Sequence, residues 1–300
     1  ILGAWSAISP AIGQQYTSKV TEGDEIAMGH FGSLGYYLSA WVGKFAGKPE
    51  ESTEKIEIPE KYAFLRDTTL STALTMVVFY LIAAIAAGPD FVATLSGSMS
   101  PFLYAIMSAF NFAVGVTVVY AGVRMILGDL IPAFQGIATK IIPNAIPAVD
   151  CAVFFTYAPT AVVIGFISSF IGGIIGMLIL GALGGVLIIP GLVPHFFCGA
   201  TAGIFGNATG GRRGAMAGAF INGLAITFLP ALLLPVLGQL GFANTTFGDA
   251  DFGVLGILIG KAFTWFGEVG IYAIVAILAI ALIVPNFVKT KTAVINYTEE

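Results

Sequence analysis

The chain reads as an all-α, polytopic membrane protein, and three observations carry that reading. It is 57% hydrophobic with only 10% charged residues, where soluble domains carry roughly 25% charge. Its mean hydropathy is +0.92. Several apolar runs exceed the roughly 20 residues that a helix needs to cross about 30 Å of hydrocarbon. A backbone in lipid has to satisfy its own hydrogen bonds, which makes helices the expected spanning unit.

Composition also removes several functional classes. A net charge of -4 provides no basic surface of the kind nucleic acids require, so neither DNA nor RNA is an expected partner. Cys151 and Cys198 lie in apolar surroundings without a C-x-x-C or Cys/His spacing, which argues for buried thiols and against a disulfide framework or a zinc site. No metal and no cofactor is expected.

The elements follow in order. Residues 1–12 are apolar and give way to Gln14, Gln15, Thr17, Ser18 and Lys19, as a helix does on leaving a bilayer. The start carries neither an initiator Met nor a charged n-region. The expectation is a fragment, or one half of a split protein, lacking an upstream membrane portion. Residues 25–46 interleave glycines with Tyr36, Tyr37 and Trp41 and suit a partly buried or re-entrant helix. The most charged stretch comes next, with Lys44, Lys48, Lys55, Lys61 and Arg66 among acids. Basic residues near span ends set orientation, so this connector is expected to be cytoplasmic and to join two halves.

Spans are predicted at 69–88 and 102–123, the second closing at Arg124 and Asp129, followed by the short amphipathic piece AFQGIATKII. The Gly-rich run 161–189 suits a tilted span or a broken pair. The Pro- and Gly-dense segment PGLVPHFFCGATAGIFGNATGGRRG predicts a re-entrant hairpin near 190–211, because non-helical backbone at membrane depth must be buried in protein or line a cavity. Spans at 214–238 and 268–288 complete the membrane part. Lys289 and Lys291 place the tail on the cytoplasmic side.

One carboxylate stands out. From Ile141 to Gly211 the first formal charge met is Asp150, and none follows until Arg212. Placing an Asp at a helix centre costs about 2.5–3.5 kcal/mol, so such residues face a cavity and mark an ion or substrate path. Pro143, Pro147 and Pro159 flank it and discourage continuous helix, the pattern by which broken helices build a midplane site. The alternative is a helix N-cap, a position that Asp favours. His30 sits among glycines that permit close ligand approach, and helix packing is its alternative role. His195, next to Phe196 and Phe197, suits a structural or gating role, and Tyr157 is a further candidate for the pocket or gate. Arg212 and Arg213 read as a topology anchor or an attractor for an anion. No phosphate-binding loop and no Ser/His/Asp constellation is evident.

Three long segments, MGHFGSLGYYLSAWVGKFAGKPEESTEKIEIP, AGVRMILGDLIPAFQGIATKIIPNAIPAVDCAVFFTYAPTAVVIGF and IIPGLVPHFFCGATAGIFGNATGGRRGA, resemble the ascorbate-type membrane component (EIIC) of the bacterial phosphoenolpyruvate-dependent sugar phosphotransferase system (PTS). The resemblance covers nearly the whole chain. It implies a homodimer of inverted repeats, each protomer with a scaffold (V-motif) domain and a moving core, in the bacterial cell membrane. Residues 1–43 would end the first repeat, whose N-terminal part is missing, and 44–66 would be the cytoplasmic connector. Residues 67–300 would form the second repeat, with 67–130 mainly scaffold, 131–240 core, and 250–300 terminal spans and tail.

The family's substrate contacts map onto His30 and its neighbour Phe31, and onto Asp150. The ascorbate form carries Gln directly after this histidine, whereas Phe31 cannot hydrogen-bond a hydroxyl. The substrate therefore stays open between L-ascorbate and a related acidic sugar or polyol. The implied function is group translocation, in which a soluble EIIB bearing a phosphocysteine, itself supplied by EIIA, phosphorylates the solute, while this chain is no enzyme on its own. Two other readings stay open: a secondary transporter coupled to H+ or Na+ through Asp150, and a truncated subunit that does not transport.

Overall fold

The structure, a computed structural model, describes residues 1–284 apart from 24–25, 58, 62–63, 65–66, 144, 240 and 243–244. The expected C-terminal tail, with Lys289 and Lys291, lies outside the described residues. The elements in order are α1 (Leu2–Thr21), β1 (Ala27–Met28), α2 (Ser33–Ala46), α3 (Thr68–Ala87), α4 (Pro89–Ser96), α5 (Pro101–Lys140), β2 (Ala148–Val149), α6 (Pro159–Ala182), α7 (Leu192–Gln239), α8 (Ala250–Phe266) and α9 (Glu268–Ile283). Four of these helices, α3, α5, α6 and α7, are long and apolar enough to cross a membrane, and α9 is a shorter apolar helix. The protein is an all-α, multi-pass membrane protein, with one two-residue strand pair among the described residues.

The tightest packing joins α2, α6 and α7 through small residues that let backbones approach. A Cβ on Gly165 would lie 2.7 Å from Gly203 Cα, one on Gly199 would lie 2.3 Å from Ser169 Cβ, and one on Gly223 would lie 2.0 Å from Ser169 O. Ser169 thus touches residues 199 and 223 at once. That is possible because α7 doubles back at Gly210–Gly211, where the backbone leaves helical angles, and Gly206 and Gly214 then face each other across the turn. Gly211 has φ +58 and sits against Lys48 O and Glu51 O, so the apex needs glycine both for its backbone and for its space.

This corrects the hairpin expected within 190–211. Residues 192–209 form one continuous arm, with Pro194 tolerated in the first turn because no intrahelical donor is lost there. The apex lies at the end of the predicted stretch, and residues 212–239 are its second arm. Another difference concerns 102–123 and the amphipathic piece after it, which form the single 40-residue helix α5. At 1.5 Å per residue it is about 60 Å long, twice the hydrocarbon thickness. Arg124 and Asp129 therefore end a membrane-compatible stretch without ending the helix. The Gly-rich run is one helix, α6, and stops at Ala182.

The charged connector is docked against the hairpin. Asn207 on α7 accepts from Thr53 N (2.8 Å) and donates to Ser52 Oγ (3.1 Å). Glu54 accepts from Thr160 N (3.2 Å) and Ala161 N (3.0 Å), so a connector carboxylate satisfies donors at the N-terminus of α6.

Candidate functional site

Two segments too short to be read as strands build the site. β1 and β2 pair in parallel, Ala27 with Ala148 and Met28 with Val149, and Gly29 N donates to Val149 O (2.8 Å). Asp150 follows its strand directly and His30 follows its own after Gly29, which puts the two side chains within 3.9 Å. Beyond Asp150, residues Cys151–Thr156 form a 3-10 turn, held to its neighbours by Phe155, whose ring meets Tyr120 on α5 and Phe196 on α7 edge-on. The prolines flanking Asp150 thus interrupt the helix where the polar pair forms.

His30 Nε2 lies 3.9 Å from Asp150 Oδ1 and 3.9 Å from Asp249 Oδ1. Both gaps exceed a hydrogen bond, which closes at 2.7–3.2 Å. The other ring nitrogen is occupied: Gly32 N donates to Nδ1 at 3.0 Å and Tyr36 Oη lies 2.8 Å from it. A backbone N–H can only donate, so Nδ1 accepts and the imidazole proton sits on Nε2. His30 therefore presents an N–H, not a lone pair, to the two carboxylates.

Neither carboxylate is spent on capping. Asp150 precedes the 3-10 turn and Asp249 precedes α8, yet neither side chain makes a cap hydrogen bond. The capping role open to Asp150 on sequence grounds is thereby removed. Asp150 is 54% exposed and Asp249 30% exposed. Asp249 Oδ1 accepts from the buried Cys198 thiol at 3.1 Å.

Asp251, two residues on, is fully buried. Its carboxylate accepts from Trp5 Nε1 (2.8 Å), Ser33 Oγ (2.6 Å) and Leu34 N (2.8 Å), and its own N–H donates to Phe31 O (2.9 Å). Because Ser33 donates to Asp251, Ser9 donates to Ser33 in the short contact between their hydroxyls. Asp251 therefore ties α1, the start of α2 and the His30–Phe31 segment to α8. Phe31 stacks on Phe252 with ring centres 4.7 Å apart. The cavity bounded by His30, Phe31 and Asp251 is about 10 Å³, at most room for a water.

The remaining candidates lie elsewhere. His195 is buried in the α6–α7 seam, with Ser169 Oγ 2.9 Å from Nδ1 and Phe170 edge-on to its ring. Phe196 belongs to the aromatic cluster with Phe112, Phe155 and Phe166. Tyr157 lines a separate cavity of about 500 Å³ beside Lys19, Glu54 and Lys55 of the connector face. None of these contacts reaches His30 or Asp150. Arg212 lies 3.9 Å from Glu51, an anchor between hairpin and connector. Both cysteines are free and buried, as expected.

Sequence reasoning passed over Asp249 and Asp251 because they fall in the polar stretch ANTTFGDADF, which looks like a solvated loop. The available signal was the D-x-D pair placed directly before an apolar run. Cys198 and Cys151 join His30 and one aspartate each in clusters with metal-ligand types, His30–Cys198–Asp249 and His30–Asp150–Cys151, whose ligand atoms lie within 4.8 Å of one another. A metal on Nε2 would push the imidazole proton to Nδ1, against the Gly32 N–H, and would require ionised buried thiols. The donor set fits a hydroxyl group better than an ion.

Four membrane-length helices define a polytopic membrane protein, and it carries a polar cluster on interrupted backbone. A profile of the PTS system sugar-specific permease component, EIIC-GAT, matches residues 1–251, and the chain belongs to that family. EIIC components are membrane transport subunits of the PTS and are not catalytic on their own. The chain is also similar to the ascorbate-specific PTS system EIIC component of Mycoplasma pneumoniae, 27% identical over 228 residues that cover 67% of this chain and 34% of that protein. The chain thus spans about a third of the length of the curated relative it matches.

Proposed function

We propose that this chain forms the His30–Asp150 side of a permease site that binds L-ascorbate or a related acidic sugar or polyol and carries it across the membrane for phosphorylation by EIIB. One observation carries the reading: the Nε2 side of His30 lies 3.9 Å from each of two carboxylates, of which, among the described residues, Asp150 accepts no hydrogen bond and Asp249 only that of the Cys198 thiol. A hydroxyl entering there accepts from Nε2 and donates to Asp150, replacing one open gap with two short, charge-assisted bonds. Phe31 and Phe252 supply an apolar wall. Phosphoryl transfer depends chiefly on positioning and charge stabilisation, so holding a hydroxyl in line is a sufficient contribution from the membrane subunit.

In this reading residues 1–43 end a first repeat, 44–66 form a cytoplasmic connector and 67–300 a second repeat. Each half carries a two-residue strand with a polar residue within the next two positions and helical turns beyond it, which supports it. The half-exposed Asp150 leaves one side of the site to residues outside this chain. The outward apolar residues of α3 and α5, such as Ile85, Phe102, Val118 and Met125, suit lipid and a second protomer of a homodimer. His195 and Phe196 serve packing of the hairpin.

The test is uptake into membrane vesicles by the full-length parent with EIIA, EIIB and phosphoenolpyruvate. The expected product inside is a phosphorylated solute whose appearance requires phosphoenolpyruvate. Unmodified product abolished by a proton uncoupler would replace this reading with the secondary transporter.

A further inference from the structure

We infer that the groove beside the hairpin apex is a binding site for an anionic phospholipid, whose phosphate pairs with Arg213 and whose acyl chain lies along α2, α6 and the second arm of α7. The inference is independent of the solute site.

The groove has a volume of about 600 Å³ and lies between those three helices. Val42 of α2, Ile171 of α6 and Met216, Phe220 and Ile221 of α7 make its walls apolar. Apolar side chains facing lipid are ordinary in a membrane protein, whereas a concave apolar surface that ends on a guanidinium is not. Among the described residues that line it, Arg213 is the only charged one, and Ser168 supplies the only other polar side chain.

The two adjacent arginines differ in what they meet. Arg212 lies 3.9 Å from Glu51. Arg213 is exposed and makes no hydrogen bond or ion pair among the described residues. Its depth suits a lipid headgroup. A Cβ on Gly47 would lie 3.0 Å from Arg213 Cβ, and Gly211 sits against Lys48 O and Glu51 O, so Arg213 is level with the charged connector, which belongs outside the hydrocarbon. From there the lining residues of α7 recur at 216, 217, 220 and 221, one face of the helix, and run about 12 Å away from that level. On α2 the exposed Trp41 and Phe45 flank Val42, with ring centres 5.1 Å apart, as an aromatic belt does at a membrane–water interface.

The chemistry then fixes which lipid is kept. Bulk lipid tails are as apolar as the groove, so an acyl chain gains packing there but no hydrophobic stabilisation. The guanidinium gains more, because a phosphate offers it paired, charge-assisted hydrogen bonds. A zwitterionic headgroup carries its own cation beside that phosphate and gains less. Selectivity therefore follows headgroup charge, and retention follows the groove.

Lipid titration of the purified, delipidated full-length parent, read as bound lipid per protomer by native mass spectrometry, tests this with phosphatidylglycerol and phosphatidylcholine of identical acyl chains. The wild type should bind phosphatidylglycerol at least about fivefold more tightly, the worth of one basic residue at an anionic membrane surface. Arg213→Gln should bring that ratio to about one, whereas Arg212→Gln leaves it in place. Ala217→Phe, which fills the groove, should weaken both lipids alike. A ratio that survives Arg213→Gln makes this arginine a plain topology anchor and overturns the inference, as does lipid binding untouched by Ala217→Phe. If Arg213→Gln does not fold, the wild type decides alone, and equal affinity for the two lipids refutes the site. A groove sealed in the parent by the rest of its chain or by a second protomer would hold no lipid that Ala217→Phe displaces, which refutes it as well.

Discussion

Asp249 and Asp251 stand two residues apart at the start of one helix and meet opposite fates. Asp251 is fully buried, and three donors from α1 and α2 close on it. Asp249 keeps one oxygen unpaired among the described residues and holds the other against a thiol and, at 3.9 Å, an imidazole. Burying a carboxylate is tolerable when donors replace water and costly when they do not. The first aspartate is therefore spent on the fold, and the second is held by one weak donor among the described residues. Asp150 belongs with the second kind. In a membrane protein the useful question about an internal charge is how many of its lone pairs the protein has already used.

The contrast predicts that Asp251→Ala causes the largest stability loss of the set. It strands the Trp5 N–H, the Ser33 O–H and the Leu34 N–H, and at about 1–3 kcal/mol per unsatisfied donor the total is about 3 kcal/mol or more. Chemical unfolding of the full-length parent in detergent, followed by tryptophan fluorescence, measures it. A loss under about 1 kcal/mol would mean that the network is dispensable. Asp150→Asn should do the reverse, leaving the unfolding midpoint in place while weakening solute binding by about 10- to 100-fold, the worth of a hydrogen bond to a charged group. Isothermal titration against the preferred solute checks it, and unchanged affinity with unchanged stability would remove Asp150 from the site.

Trp5→Phe comes next in size. It deletes only the indole N–H to Asp251, and about 1 kcal/mol of stability should go with it, with solute affinity unchanged because two donors still fix the carboxylate. Affinity that falls together with stability would show that the Asp251 network and the site are mechanically one unit.

How much of this was legible in the sequence differs by kind of feature. Span α3 was readable to within a residue, since an apolar run bounded by Asp67 and Gly88 has little else to be. The hairpin was legible as an interruption but its apex was not, because Pro194 announces a break and makes none, while Gly210–Gly211 among many glycines makes the real one. Helix α5 was underestimated because charge ends a membrane span without ending hydrogen bonding along a helix. His30 and Asp150 could be singled out one at a time, as a residue type in the wrong solvent. Their meeting could not, since it depends on strands of two residues, too short for any alternation to register. Asp249 was hidden for a related reason: a carboxylate in a polar loop is usually solvated, and only the packing of α8 against residues 31–34 turns this one inward.

Cys198→Ala should have the smallest effect and is the sharpest probe of the contrast. The thiol is buried, and its S–H reaches Asp249 Oδ1 at 3.1 Å. If Asp249 is held chiefly by its own backbone and left open for a ligand, losing so weak a donor should shift solute affinity by less than about threefold and stability by less than about 1 kcal/mol. If the thiol is what satisfies Asp249, removing it strands a partly buried carboxylate, and the variant should lose stability on the scale of Asp251→Ala. Thermal unfolding and solute titration on the same preparation separate the two. The first outcome keeps Asp249 as a free acceptor, and the second makes it a second Asp251 and dissolves the difference between them.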